Sequence, residues 1–309
     1  MTHTTLRQPP AAFRLSAAFR SAIAGAVICA VTAFANGADE LSIAEQLYSQ
    51  HLDVSYRNPS SIGAAYFPET VFGSYGTTDV VEAYADLCVF TFDDFLLGRL
   101  DLWAFARVTG FIENPEMTSL PDALIHAGLD LGHTLRFDNG WSSEMRVAPS
   151  ISSDIAEPKF GCLLTFNLYF AADPTLSFKI GGTYRPGWDV EYMPNAGIVW
   201  QPAEELRVEA GVPKSKITLL GNYMISPFAT FEWRNVTYGL SGKEGIPKEL
   251  TAEEMFVTAG IALCPMRTWT LTGEYGKFSR RKIGASVAEN TTVELSKDSF
   301  FRVMLRSEF

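Results

Sequence analysis

The sequence predicts an all-β protein: an antiparallel transmembrane β-barrel of about 12 strands, with roughly 10 to 14 compatible with the chain length. Three observations predict it. Apolar and polar residues alternate with period two over segments of about ten residues, the periodicity of strands and not of helices. Aromatic residues collect at the ends of those segments: Phe137 with Trp141, Tyr184 with Trp188, Tyr192 with Trp200, Trp233 with Tyr238, and Trp269 with Tyr275. The chain closes on a further alternating segment, in which Phe301, Val303, Leu305 and the terminal Phe309 share one face.

Residues 1–35 read as a secretory signal. Arg7, Arg14 and Arg20 precede an almost wholly apolar stretch from Ser21 to Phe34, and Ala33 and Ala35 are the small residues a signal peptidase requires. Cleavage would remove three positive charges and no negative one, lowering the net charge from −10 to −13. Residues 36–60 form an N-terminal segment, with a short helix expected over Ala38 to Gln50. The barrel is expected over residues 61–309.

From Leu97 to Thr109, leucines and alanines alternate with Arg99, Asp101 and Arg107. Leu129, Leu131 and Leu135 then oppose His126, Asp130 and Arg136, with His133 on the apolar side. Met145, Val147 and Ile151 oppose Glu144 and Arg146. Leu164, Phe166 and Leu168 oppose Thr165 and Asn167, and Phe178 and Ile180 flank Lys179. The pattern continues with Val208 against Arg207 and Glu209, Phe231 and Trp233 against Glu232 and Arg234, Met255 to Leu263, and Trp269 to Tyr275. Turn clusters separate the segments, among them Asp138-Asn139-Gly140, Ala172-Asp173-Pro174 and Gly221-Asn222. Pro247 to Met255 is expected to be a second short helix. Long loops are expected at Glu113 to Pro121, Ser152 to Pro158, Ser241 to Glu254 and Arg280 to Asp298. Counting strands back from Phe309 puts the short Asp138 to Gly140 turn at the same end as these loops. Either a strand near Pro213 to Leu220 is uncounted, or the separation of short turns from long loops is broken.

Two architectures carry many alternating strands: a membrane barrel with its apolar face toward lipid, and a soluble exported β-sandwich that binds a ligand. The polar, glycine-rich second face, the aromatic segment ends and the terminal aromatic strand favour the barrel. Taken together, these features resemble bacterial outer-membrane β-barrel proteins, and the resemblance covers nearly the whole chain beyond the signal. It implies an outer-membrane location, contact with outer-membrane lipid, and recognition of the terminal strand (Phe301, Val303, Leu305, Phe309) by the barrel-insertion machinery. Gly182-Thr183-Tyr184-Arg185-Pro186, Gly197 to Pro202 and Gly211-Val212-Pro213 further resemble an uncharacterised outer-membrane β-barrel family with a domain of unknown function, which implies no activity.

Alternation assigns Arg99, Asp101, Arg107, Asp130, Arg136, Glu144, Arg146, Lys179, Arg207, Glu209, Glu232, Arg234, Glu274, Arg302 and Arg306 to the lumen. Charges of both signs there must pair or stay hydrated. They imply either salt bridges that fill a narrow lumen or a water-filled passive pore for small solutes. His126 and Asp130 share a face but stand about 13 Å apart in a strand, too far for catalytic pairing, and no hydrolase, metalloprotease or nucleotide motif is present. No enzymatic activity and no cofactor or metal is expected. Cys88, Cys162 and Cys264 lack the spacing of a zinc site or disulfide framework. The acidic balance argues against nucleic acid. Arg280, Arg281 and Lys282 are the one local concentration of cations; in an outward loop they would contact anionic lipid headgroups.

Overall fold

The computed structural model describes residues 60–71, 77–112, 123–137, 140–154, 158–188, 190–220, 225–240, 249–266, 269–285, 291–294 and 299–307. The expected signal segment, the Ala38 to Gln50 helix and Phe309 lie outside them. The described elements are β1 (Ser60–Val71), β2 (Thr77–Phe95), β3 (Gly98–Phe111), β4 (Ala123–Arg136), β5 (Trp141–Ser153), β6 (Lys159–Asp173), β7 (Leu176–Tyr184), β8 (Tyr192–Ala203), β9 (Leu206–Val212), β10 (Lys214–Leu219), β11 (Ile225–Gly239), β12 (Glu249–Met266), β13 (Trp269–Ala285), β14 (Thr291–Glu294) and β15 (Ser299–Ser307).

Each strand pairs antiparallel with its sequence neighbour from β1 to β13. The ring closes where β15 lies between β13 and β1, with Ser60 opposite Ser307. Short β14 shares with β15 the same edge of β13, so the fifteen elements form a barrel of 14 strands. Closure pairs each strand of the ring on both sides, except at the ends of β8 and β11 that the short β9–β10 hairpin does not reach, and so meets most of the condition that makes a strand protein viable in a membrane.

The alternation appears as an inside-out burial pattern. Phe160, Ile180, Val303, Met145, Ile217 and Val257 point outward and are at least half exposed. The arginines, glutamates and asparagines between them point inward. Two aromatic belts bound this surface. Trp141, Phe170 and Phe178 occupy one register row near the short turns, with Trp141 and Phe170 centroids 4.8 Å apart. Tyr66, Phe301 and Tyr275 form another row toward the long loops. Along β6, Phe160 to Phe170 spans about 33 Å of strand, or roughly 25 Å of height at a 40° tilt, which matches the apolar band of outer-membrane barrels.

The uncounted strand is β10. Its six residues follow Pro213 and show only Ile217 and Leu219 as outward apolar positions, too short a run to read as a period. With β10 included, the strand ends that the Asp138 to Gly140 turn would join, Arg136 of β4 and Trp141 of β5, fall at the same end as the Ser60–Ser307 pair. The two-residue turns Leu96-Leu97, Pro174-Thr175 and Glu204-Glu205 also fall there, and the strand ends Phe111, Ala123, Gly239 and Glu249 lie at the opposite end.

Within the expected helix over Pro247 to Met255, the described residues from Glu249 onward are instead the start of β12, and 247–248 lie outside the described residues. The β12 backbone pairs continuously with β11 on one side and β13 on the other, and this ladder overrides any local helical spacing. Strand β13 likewise runs to Ala285, so Arg280, Arg281 and Lys282 sit in the wall and not in a loop.

The wall is uneven. β2, β12 and β13 have 19, 18 and 17 residues, whereas β9 and β10 have 7 and 6. Beyond the amide of Trp233, which donates to the Pro213 carbonyl at 2.8 Å, β11 continues without β10 beside it. Its free end leans across to β5, where the Asp154 amide donates to the Gly239 carbonyl at 3.1 Å. Lys159 of β6 reaches Glu249 of β12 at 2.7 Å. The loop end is thus drawn together across the ring.

Candidate functional site: the barrel lumen

Arg146 is the centre of one lumen network. Its guanidinium donates to Asp130 (Nε, 2.9 Å), Asp101 (Nη2, 2.7 Å) and Glu144 (Nη1, 3.1 Å), joining β3, β4 and β5. Gly132 makes this possible, because the guanidinium lies across β4 where any Cβ on residue 132 would collide with it. The second oxygen of Glu144 accepts from Asn167 Nδ2 at 2.8 Å and Tyr169 Oη at 2.7 Å. Asn195 extends the web to Asn167 and Thr183. All four charged side chains are nearly dry, at 4 to 13% exposure.

Arg234 is the centre of the other. It bonds Glu232 on its own strand at 2.7 Å and Glu82 at 3.1 Å across the lumen, and stands 4.0 Å from Glu254. Arg107 approaches Glu82 at 3.6 Å, Arg281 bonds Glu254 at 2.9 Å, and Arg302 bonds Glu274 at 2.5 Å while approaching Glu232 at 3.8 Å. Phe67, Val80, Phe256, Phe278 and Phe300 pack above these groups. The Arg234 and Arg281 guanidiniums lie over the Phe256 and Phe278 rings at 4.5 and 4.6 Å, so the arginines exchange water for carboxylates and π faces together. A cavity of about 40 Å³ between Arg107, Arg234 and Tyr238 has room for only two or three waters. This sector is a filled interior.

Toward the loop end, Leu124, Val236, Tyr238, Leu240 and Leu250 form an apolar cluster around Trp188. Trp188 belongs to the β7–β8 connection, which folds inward. Arg185, in the same connection, is 3% exposed. Its Nη1 donates to the Asn235 carbonyl at 2.9 Å, on the edge of β11 that β10 leaves free, and it stacks over Trp188 at 5.0 Å. Among the described residues its Nε and Nη2 have no hydrogen-bond partner. Burial pushes its guanidinium down to about 10, so it remains charged at neutral pH.

The interior along β7 to β10 is different. Glu209 pairs with Arg207 at 3.0 Å and is 38% exposed, Lys216 lies over Phe228, Lys179 lies over Tyr169, and Lys214 is exposed although its register faces inward. Lys214 and Glu209 are therefore more exposed than any charge of the two networks, although Ser177, Asn195 and Thr218 on the same strands are buried.

The structure gathers Asp101, Asp130, Glu144 and Arg146 into one network and Arg107, Glu232, Arg234, Glu274 and Arg302 into the second. Arg99 sits near the short-turn end, 3.9 Å from Asp93. Arg136 and Arg306 take inward register positions, opposite Ser142 and Ser61. Phe301, Val303 and Leu305 face outward. Arg281 departs from its expected surroundings: the irregular register between Met255 and Phe256 turns it inward onto Glu254, leaving Arg280 outside, 3.4 Å from Glu253. Sequence reasoning missed Lys214 and Lys216, whose strand went unrecognised, and the plugging role of Arg185 and Trp188, which no local spacing signals. His126 and Asp130 do not meet: His126 packs against Phe105 and Trp188, and Asp130 serves Arg146. Among the described residues no cluster of His, Cys, Asp or Glu could hold a metal ion.

No family model matches the sequence, and no curated protein matches it. Among solved structures the chain is similar to the KdgM porin (12% identity over 81% of this chain and 99% of that one, TM-score 0.35). It is also similar to the NanC porin (11%, 81% and 100%, TM-score 0.39) and to the TodX monoaromatic hydrocarbon channel (9%, 82% and 91%, TM-score 0.45). None of these values bears on which solute a lumen takes.

Proposed function

We propose that the chain is an outer-membrane β-barrel that passes small water-soluble molecules passively along the sector beside β7 to β10. The single observation that carries this reading is the exposure of Lys214 and Glu209, charged groups that face the interior of a barrel whose outside is apolar. A soluble sandwich would bury its apolar face, whereas here Phe160 and Ile180 are 74% and 65% exposed. The terminal strand, with Phe301 and Val303 outward, is the segment we assign to recognition by the insertion machinery. Arg280 and Lys282, at outward register positions near the loop end, are the candidates for contact with anionic headgroups.

The test is liposome swelling with the refolded barrel. Vesicles containing it should swell in isosmotic small sugars faster than protein-free vesicles, with rates falling as solute size rises. Equal rates, with a heat-dependent shift in SDS mobility confirming a folded barrel, would leave a structural barrel and remove the pore.

A further inference from the structure

In the lumen the two signs of charge are not treated alike. Glu82, Glu232 and Glu254 are held by Arg234, Glu274 by Arg302, and Glu209 by Arg207. The carboxylates of the other network converge on Arg146. Lys214, Lys216 and Arg306, by contrast, face the same interior, and no carboxylate lies within 4.0 Å of any of them among the described residues. Lys216 lies within Coulomb range of Lys214 and Arg306, and also of Glu209 and Glu274, whose carboxylates are bonded to Arg207 and Arg302. Lys214 and Lys216 stand on β10 and Arg306 on β15, so the cations converge from two separate walls. They converge beside the shortest hairpin, in the sector where Lys214 and Glu209 are exposed.

Three like charges held together repel one another unless something of opposite sign completes them. The surrounding carboxylates are already engaged, and the chain as a whole is acidic at −10, so this local excess opposes the protein's own net sign. A cleft of one sign with low-dielectric walls concentrates counter-ions of the other. Building on the pore reading above, we infer that Lys214, Lys216 and Arg306 form an anion site that makes the passage selective for small organic anions bearing carboxylate or phosphate groups.

The experiment is the reversal potential of the refolded full barrel in planar bilayers across a KCl gradient, with wild type, the triple variant Lys214→Gln, Lys216→Gln, Arg306→Gln, and the control Lys277→Gln, an exposed outward position opposite Val257. Wild type and the control should favour Cl⁻ over K⁺ roughly tenfold at low salt, with selectivity shrinking as ionic strength rises, and the triple variant should approach a ratio of one. Conductance without anion preference overturns the site and leaves the pore. Absence of conductance overturns the pore, and calorimetric titration of the folded barrel with citrate then decides the site: saturable binding lost in the variant supports it, and no binding overturns it. If the triple variant does not fold, the single variant Lys214→Gln, at the most exposed position, should halve the preference; an unchanged ratio overturns the site.

Discussion

Arg234 and Glu82 stand 152 residues apart in sequence and meet in the middle of the barrel, Nη1 to Oε1 at 3.1 Å. Their contact ties β11 to β2 across the lumen. No run of neighbouring strand pairs makes this connection, so it fixes how far one side of the ring is flattened.

Breaking it should be costly. Glu82→Ala leaves Arg107 and Arg234 short of a carboxylate in a site where Glu82 is 7% exposed, and should lower unfolding stability by about 3 to 5 kcal/mol. Arg207→Ala, at a pair that is 23 and 38% exposed, should cost less than about 1 kcal/mol. Urea titration of the refolded barrel in detergent micelles compares the two.

Gly132 and Arg146 should behave as a coupled pair. Gly132→Val places atoms where the guanidinium lies and should destabilise by about 1 to 3 kcal/mol. In an Arg146→Met background the same change should cost markedly less, because nothing remains for it to displace. A double-mutant cycle by urea titration measures the difference, and additivity would remove Gly132 from the network.

The in-folded β7–β8 connection makes opposite predictions for two adjoining side chains. Trp188→Ala empties the apolar cluster and should cost about 3 to 5 kcal/mol and increase single-channel conductance. Arg185→Met removes a buried cation, two of whose nitrogens have no hydrogen-bond partner among the described residues, and should leave stability unchanged or raise it.

Truncation of Phe309, or Phe301→Ser on the outward face of β15, should reduce the amount of barrel recovered in the outer-membrane fraction. Refolding of the same variants in detergent should proceed as for wild type. Equal loss in both assays would make the terminal strand a stability element and not a recognition signal.

How much was legible follows from these residues. The alternation of Met145, Val147 and Ile151 against Glu144 and Arg146 exposes both faces of a strand to view, so the barrel and its lumen-facing charges follow from period two. β10 was hidden because Lys214-Ser215-Lys216 supplies no apolar alternation, and with it went the orientation of the turns and two of the three cations of the anion site. The partnership of Arg234 with Glu82, the inward turn of Arg281 and the seating of Trp188 depend on ring flattening and on a register irregularity. Those are properties of closure, and no local window contains them.

The most direct measurement is the accessibility of spin labels at Lys214 and Ile217 in the refolded barrel in bilayers, introduced after Cys88, Cys162 and Cys264 are changed to Ser. The inside-out barrel predicts that a label at 214 collides with a water-soluble nickel chelate and little with oxygen, and that a label at 217 shows the reverse because it lies in lipid. A label at 217 shielded from both would contradict the barrel and return that face to the core of a soluble sandwich.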